Sequence, residues 1–324
     1  MKNFKVAQPQ TIDQVTSLLS EKREKCYLMA GGTDLLGEIK DEIIEPEVVV
    51  DLKYIPDLSY IKKEKDGVRI GVLTSIAELA ENPMIKNDYQ GLYEAANAVA
   101  TPQLRNLGTV GGNLCQRPRC WYYRDPQLLC QKKGGFECYA YLGRNKYHAI
   151  FGGGPCYIVH PSDLAPALIS LDAEISISSP DGEKTLPLAD FFILPVVDVR
   201  KENILGADEV VKEVKIPPAK NGEKSTYHKL KERGVWDFAL VSVAVKGIVS
   251  GDVFKDIKIV LGGVAPVPWR LEKAENIIKG KKVAEELVRK AAREALKEAR
   301  PLKENEFKKE LIETVLYRTT LSLI

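Results

Sequence analysis

The first glycine-rich stretch of the chain reads Leu28-Met29-Ala30-Gly31-Gly32-Thr33-Asp34-Leu35 and follows a short apolar strand. Two adjacent glycines allow a tight turn and let backbone N–H groups approach an anion without obstruction by a Cβ atom. Thr33 and Asp34 add a hydroxyl group and a hydrogen-bond acceptor. The stretch therefore fits a phosphate-binding loop, although a Gly-Gly turn with an Asx cap is also a common structural turn.

A second glycine pair lies in the stretch Gly108-Thr109-Val110-Gly111-Gly112-Asn113-Leu114. It too can present consecutive N–H groups to a phosphate. Neither stretch has the three spaced glycines of the dinucleotide fingerprint, and neither ends in the Gly-Lys-Ser/Thr of a P-loop. A doubly wound nucleotide-binding fold is therefore disfavoured.

Four of the six cysteines follow the pattern Cys120-x9-Cys130-x7-Cys138-x17-Cys156. A reduced chain keeps thiols free, so metal ligation explains this grouping better than disulfides. Zinc is the weaker choice because no two cysteines lie two residues apart. Widely spaced thiolates can instead surround an iron–sulfur cubane, and four unrelated buried thiols remain the alternative. Nearby basic residues would offset the charge of such a cluster: Arg117, Arg119, Arg124, Lys132 and Lys133.

The periodicity divides the chain into three parts. Residues 1–60 combine the helical stretch Ile12–Lys22 with short strands, and residues 61–195 carry an aperiodic insertion at about 115–157. Residues 196–324 show three strands followed by two helices, a pattern typical of an α+β domain. The sequence thus predicts two α/β subdomains and an α+β C-terminal domain.

Composition excludes several classes of protein. Lys and Arg total 47 and Asp and Glu total 45, which gives a net charge of +2. This charge is too small to create the positive electrostatic potential that attracts nucleic acid. No apolar run reaches the length of a bilayer span. The N-terminal residues lack the apolar core of a signal peptide, so we expect a cytoplasmic protein.

The three histidines, His148, His160 and His228, do not occur at catalytic or metal-ligand spacing. The sequence has no nucleophile elbow and no His-Glu-x-x-His motif. We therefore interpret each histidine as structural, and hydrolase functions have no support.

Five ordered motifs together resemble the FAD-binding (medium) subunit of the molybdenum hydroxylases, the xanthine dehydrogenase and carbon monoxide dehydrogenase family. They are the first glycine loop, Arg105-Asn106 with the second loop, His160-Pro161-Ser162-Asp163-Leu164-Ala165, Asp237-Phe238-Ala239-Leu240-Val241-Ser242-Val243 and Gly262-Gly263-Val264-Ala265-Pro266. The resemblance covers essentially the whole chain. It implies an α+β fold with a vanillyl-alcohol-oxidase-type FAD-binding domain, and a flavin cleft between the N-terminal and C-terminal domains.

The insertion resembles that of one branch of the family, which includes 4-hydroxybenzoyl-CoA reductase and periplasmic aldehyde oxidoreductases. In this branch the insertion binds an extra 4Fe-4S cluster. The resemblance implies that the cluster ligands are Cys120, Cys130, Cys138 and Cys156.

The resemblance also implies which residues approach FAD. The pyrophosphate would lie against Leu28, Met29, Ala30, Gly31, Gly32, Thr33, Asp34 and Leu35. The remaining positions, from the ribityl–phosphate stretch to the flavin ring, would be Gly108, Thr109, Gly112, Asn113, Cys115, Ser162, Asp163, Lys229 and Phe238. No catalytic residue is implied, since substrate chemistry would belong to a partner subunit.

The implied function is that of an electron-transfer oxidoreductase subunit carrying FAD and a 4Fe-4S cluster. The implied partners are a molybdopterin-binding large subunit, a small subunit with two 2Fe-2S clusters, and NAD or another electron carrier. Two alternatives belong to other classes. One is a stand-alone flavin oxidase or dehydrogenase, and the other is a non-catalytic module stabilised by its metal.

Overall fold

A computed structural model describes all 324 residues, beginning with a small parallel sheet. Its strand order is β1-β3-β2, and it carries two helices. The elements are β1 (Lys5–Ala7), α1 (Ile12–Lys22), β2 (Cys26–Met29), α2 (Leu35–Lys40) and β3 (Val48–Asp51). Helix α1 begins where the Thr11 side chain accepts a hydrogen bond from Gln14 N, and it buries Val15 and Leu19 against the sheet.

A second subdomain follows, with several short helices before the insertion. Its first elements are β4 (Ile61–Glu64), β5 (Gly67–Gly71), α3 (Ile76–Glu81), α4 (Pro83–Asp88), α5 (Gln90–Ala98), α6 (Pro102–Leu107) and α7 (Val110–Cys115). Ser75 and Glu78 form a capping box that begins α3. Helix α7 is the second glycine stretch, so that stretch forms a helical turn.

The insertion is mostly irregular and contains the two short helices α8 (Trp121–Arg124) and α9 (Tyr139–Leu142). Regular structure resumes with α10 (Leu164–Ser170), β6 (Glu174–Ser179), β7 (Gly182–Pro187) and β8 (Val210–Ile216). These strands complete a five-stranded sheet of order β4-β5-β8-β6-β7. Because β8 pairs with both β5 and β6, this sheet extends past the predicted boundary at residue 195.

The C-terminal domain is an antiparallel sheet of order β12-β11-β10-β9 covered by helices. Its elements are β9 (Glu223–Leu230), β10 (Val241–Ser250), β11 (Val253–Gly262), β12 (Trp269–Arg270), α11 (Glu272–Ile278), α12 (Glu285–Leu296) and α13 (Lys308–Leu321). The predicted strands and the two long helices are confirmed, and so is the α+β class. None of the helices is both long enough and apolar enough to cross a bilayer.

Contacts with the C-terminal domain hold the end of the insertion. Lys308 is fully buried, and its Nζ donates to the carbonyl oxygens of Tyr147 and His148, both at 3.1 Å, and of Gly263 at 2.8 Å. Asn305 Nδ2 donates to the same His148 oxygen at 3.1 Å. The insertion is therefore fixed between the two parts of the chain rather than extending into solvent.

Candidate flavin cleft and cysteine cavity

The two glycine loops touch each other. A Cβ atom added to Gly31 would lie 1.8 Å from the Leu107 carbonyl oxygen, so only glycine permits this approach. Gly32 has φ +71°, a left-handed conformation that favours glycine. In the second loop, the Thr109 hydroxyl accepts a hydrogen bond from Gly112 N at 3.1 Å. The two loops therefore form one surface with exposed backbone groups.

Three adjoining cavities of about 420, 440 and 460 Å³ form an elongated cleft around these loops. The first cavity has an apolar wall that includes Leu52, Val72 and Leu205. It shares the glycine loops with the second cavity, and the second shares Asp163 and Phe238 with the third, beside the C-terminal domain. An extended cofactor with a ring system at each end and phosphates in the middle fits this shape.

The predicted cofactor-binding residues line this cleft, with the exception of Met29. Those along the first two cavities are Leu28, Ala30, Gly31, Gly32, Thr33, Asp34, Leu35, Gly108, Thr109, Gly112, Asn113, Cys115 and Lys229, and those along the third are Ser162, Asp163 and Phe238. The sulfur of Met29 lies beside Gly32 instead. Which of these side chains touch the cofactor stays a prediction.

The carboxylate of Asp34 contacts the insertion. One of its oxygens accepts hydrogen bonds from the guanidinium of Arg124 at 2.7 Å and lies 3.0 Å from that of Arg119. The other accepts from Arg117 N at 2.7 Å. With these donors already bound, we expect Asp34 to meet a phosphate through its backbone rather than its side chain.

A buried polar network continues from this contact. The Tyr123 hydroxyl donates to Glu38 at 2.6 Å and accepts from Arg117 Nε at 3.0 Å. Arg117 also donates to Glu202 at 2.6 Å, and Glu202 accepts from Lys132 at 2.5 Å. Burial raises the pKa of Glu38, and the hydrogen bond from Tyr123 opposes that rise. The sequence indicated only charge compensation for these basic residues, whereas in the structure they also join the insertion to the cleft.

On the opposite side of the cleft, Asp163 lies in a buried cluster. Its carboxylate accepts hydrogen bonds from Lys229 Nζ and from the Tyr227 hydroxyl, both at 2.7 Å. Burial raises the pKa of Asp163, and the Lys229 charge works against that rise. Nearby, the Ser162 hydroxyl donates to Asn113 Oδ1 at 2.6 Å. The predicted residues of three distant segments are thus brought together.

The four cysteines of the insertion line one small internal cavity, between the cleft and α9. The interaction between the Cys138 and Cys156 thiols lowers the pKa of Cys138 to about 6 and raises the pKa of Cys156. Burial raises the pKa of Cys120 to about 11. No group of three or more His, Cys, Asp or Glu side chains is arranged to hold a single metal ion. The four thiols therefore line one cavity, but they are not arranged as ligands of a single metal ion.

All six cysteines are free thiols, and the other two lie elsewhere. Cys26 is buried in β2, whereas Cys115 ends α7 and lines the first cavity of the cleft. Burial raises the pKa of Cys115 to about 12, so this thiol stays protonated. Cys115 thus lies at the cleft but outside the cavity that the four thiols of the insertion line.

Several cleft residues were missed by the sequence analysis, among them Gln116, Arg119, Leu205, Arg233 and Trp236. Arg119 lies over the Phe238 ring, 5.1 Å from its centre. The one sequence signal that places Arg119 at the cleft is its position shortly after the second glycine loop. Leu205 has no such signal, because it lies in an irregular segment without a motif. These residues reach the cleft through tertiary packing.

Comparison with known proteins agrees with this architecture. Residues 2–219 match the FAD-binding domain of molybdopterin dehydrogenases, and residues 225–323 match the CO dehydrogenase flavoprotein C-terminal domain. The aldehyde oxidoreductase FAD-binding subunit PaoB of Escherichia coli is 36% identical, over 80% of this chain and 81% of that protein. The carbon monoxide dehydrogenase medium chain of Hydrogenophaga pseudoflava is 29% identical, over 90% and 86%.

A solved structure supports the same assignment. The carbon monoxide dehydrogenase from Hydrogenophaga pseudoflava superposes with a TM-score of 0.79 at 26% identity, covering 99% of this chain and 97% of that one. The matched region includes both glycine loops, the Asp163 cluster and the C-terminal sheet, which together build the cleft. The chain therefore belongs to the family of FAD-binding subunits of molybdopterin-dependent dehydrogenases.

Proposed function

We propose that this subunit passes electrons between FAD in the cleft and a 4Fe-4S cluster held by Cys120, Cys130, Cys138 and Cys156. The observation that carries the proposal is that four cysteines, widely spaced in sequence, line one internal cavity next to the cleft. Bound FAD supplies two-electron chemistry and an iron–sulfur cluster supplies one-electron chemistry, so the pair can exchange electrons one at a time.

The donor set suits such a cluster. Each iron of a 4Fe-4S cluster takes one cysteine thiolate, so four thiols supply a complete set of ligands. The thiolate is the form of cysteine that binds iron. Tyr122, Ala140 and Ile158 contribute apolar and aromatic groups to the cavity wall, which also includes Lys132 and His148.

We also propose that the chain works within a complex with a molybdopterin-binding large subunit and a small subunit carrying two 2Fe-2S clusters, with NAD or another carrier as the external partner. Relatives named as medium chains and as a complex subunit support this assignment. The comparisons offer no support for a stand-alone flavin oxidase. We place the protein in the cytoplasm, where its free thiols would stay reduced.

The cluster is tested by measuring iron, acid-labile sulfide and FAD in the full chain after anaerobic purification. We expect about four irons per chain, as the ligand count requires. Cys130→Ser and Cys138→Ser should each lose most of the iron and keep FAD, because the glycine loops lie outside the cavity.

Cys26→Ser and Cys115→Ser are the matched controls, since neither thiol lines the cavity. Both should keep the full iron content. Zinc in place of iron, or unchanged iron when Cys120 and Cys138 are replaced together, would show that the cavity holds no such cluster.

The assignment as a subunit has its own test. The isolated chain should bind FAD yet oxidise no aldehyde, purine or aromatic thioester, because substrate chemistry belongs to the molybdenum partner. Turnover of any of these substrates by the pure chain would instead favour a stand-alone enzyme.

A further inference from the structure

One wall separates the cysteine cavity from the flavin cleft. Three residues, Cys120, His148 and Ile158, line both the cysteine cavity and the third cavity of the cleft. His148 Nε2 lies 3.2 Å from Cys120 Sγ, which is hydrogen-bonding distance for a sulfur acceptor. The two polar groups of this wall are therefore in direct contact.

The His148 ring is held firmly in this position. The residue is buried, and its carbonyl oxygen accepts hydrogen bonds from Lys308 and Asn305. The Trp121 ring lies edge-on to it with the ring centres 5.6 Å apart. The backbone and ring contacts leave little freedom to turn the imidazole away from the sulfur.

The identity of the donor follows from the chemistry of the pair. A cysteine that binds iron is a thiolate, and a thiolate sulfur can only accept a hydrogen bond. The nitrogen facing it must then carry the ring proton. The other nitrogen, Nδ1, is buried and makes no hydrogen bond.

We propose that His148 Nε2–H donates a hydrogen bond to the Cys120 thiolate, on the side of the cluster that faces the flavin cleft. This hydrogen bond raises the reduction potential of the cluster. The inference rests on the proposed cluster. Reduction adds negative charge to the cluster and its ligands, and a donor at the ligand sulfur stabilises that charge. His148 thus acts as a positioning and tuning residue, which no motif in the sequence indicated.

The test compares two substitutions in the full, cluster-loaded chain. His148→Phe removes the donor and keeps a ring, whereas His148→Gln keeps an N–H group near the position of Nε2. His228→Phe is the matched control, because it makes the same substitution at an exposed histidine that lines neither the cysteine cavity nor the cleft. The measurement is the midpoint potential of the cluster in an EPR-monitored redox titration, with iron and FAD content determined on each sample.

We expect His148→Phe to keep its iron and to disfavour reduction about tenfold, which corresponds to a shift of about 59 mV to lower potential for one electron. His148→Gln should recover most of the difference, and His228→Phe should match the wild type. Equal potentials in an iron-replete His148→Phe protein would overturn the inference.

A second measurement uses only the wild-type protein, so it does not depend on whether a variant keeps its cluster. Wild-type protein with 15N-labelled histidine, reduced and studied by pulsed EPR, should show one weak nitrogen coupling and one exchangeable proton coupled to the cluster. A strong coupling from a directly bound nitrogen, or no coupling at all, would contradict the hydrogen bond. A wild-type chain without iron defeats the proposed cluster itself, whereas an iron-replete chain without these couplings defeats only this inference.

Discussion

The carboxylate of Asp34, in the first glycine loop, accepts a hydrogen bond of 2.7 Å from the guanidinium of Arg124, in the cysteine insertion. Both side chains are largely buried, with 15% and 16% of their surface exposed. The contact ties the glycine loop that lines the cleft to the segment that carries the cysteines. The folding of the insertion and the shape of the cleft are therefore expected to depend on each other.

Replacing Asp34 tests this dependence. Asp34→Asn keeps the size of the side chain, removes the counter-charge of Arg119 and leaves Arg124 with only Glu38, 3.8 Å away. We expect a loss of roughly 2 kcal/mol in stability, less than the 3–5 kcal/mol typical of fully buried pairs, together with weaker FAD binding. Thermal unfolding and FAD titration measure the two effects. Glu47→Gln, which removes an exposed ion pair with Lys25, should change neither, and equal behaviour of the two variants would contradict the coupling.

The contact between the glycine loops predicts that alanine substitutions at Gly31 and Gly37 have very different effects on FAD affinity. Gly31→Ala would place a Cβ atom against the Leu107 carbonyl oxygen and push the loops apart, so FAD affinity should fall at least tenfold. Gly37→Ala, in α2, meets nothing within 4 Å and should bind FAD normally. Fluorescence titration of each apoprotein with FAD makes the comparison. Normal affinity in Gly31→Ala would show that the loop contact does not shape the site.

The ion pair between Lys229 and Asp163 is buried, so removing one partner should lower the free energy of unfolding. Their side chains are 2% and 6% exposed, so Lys229→Met leaves an uncompensated buried carboxylate and should cost about 3–5 kcal/mol. The double variant with Asp163→Asn should recover part of this loss, because no charge then remains buried. Lys146→Met, which removes a half-exposed pair with Glu232, is the control. Additive effects of the two cleft substitutions would argue against a coupled pair.

The buried His160 should make the stability of the protein depend on pH. Burial lowers its pKa to about 3, and its Nδ1 accepts a hydrogen bond from Ser162 N. Below pH 6.5 the unfolded chain takes up a proton at this histidine that the folded chain does not, so stability falls as the pH falls. Between pH 6.5 and pH 5 this loss amounts to about 2 kcal/mol.

The matched variant is His160→Asn, whose side-chain oxygen can replace Nδ1 as the acceptor. It should be less stable than the wild type at pH 7 but should lose stability less steeply on acidification. Unfolding measured across this pH range in both proteins makes the comparison. Parallel curves would mean that His160 carries a proton in the folded protein or is not buried there.

Several features of this protein could be predicted from the sequence. Helix α1 matches its predicted range, because an N-capping Thr11 and the spacing of Val15 and Leu19 are local signals. The glycine loops were identifiable because a tight turn with free N–H groups requires adjacent glycines. The grouping of the cysteines was likewise visible in the spacing, and the family resemblance implied that these four meet, as they do at one cavity.

Tertiary structure decided the rest. The second subdomain is predicted to end at residue 195, yet β8 lies between β5 and β6 in its sheet. Strand partners are determined by long-range pairing, which no local pattern specifies. The contacts of Asp34 with Arg124 and of His148 with Cys120 join residues far apart in the chain. Local sequence thus determined which loops and thiols the protein carries. Packing determined which of them meet, because hydrogen bonds and burial depend on distances in space and not on spacing along the chain.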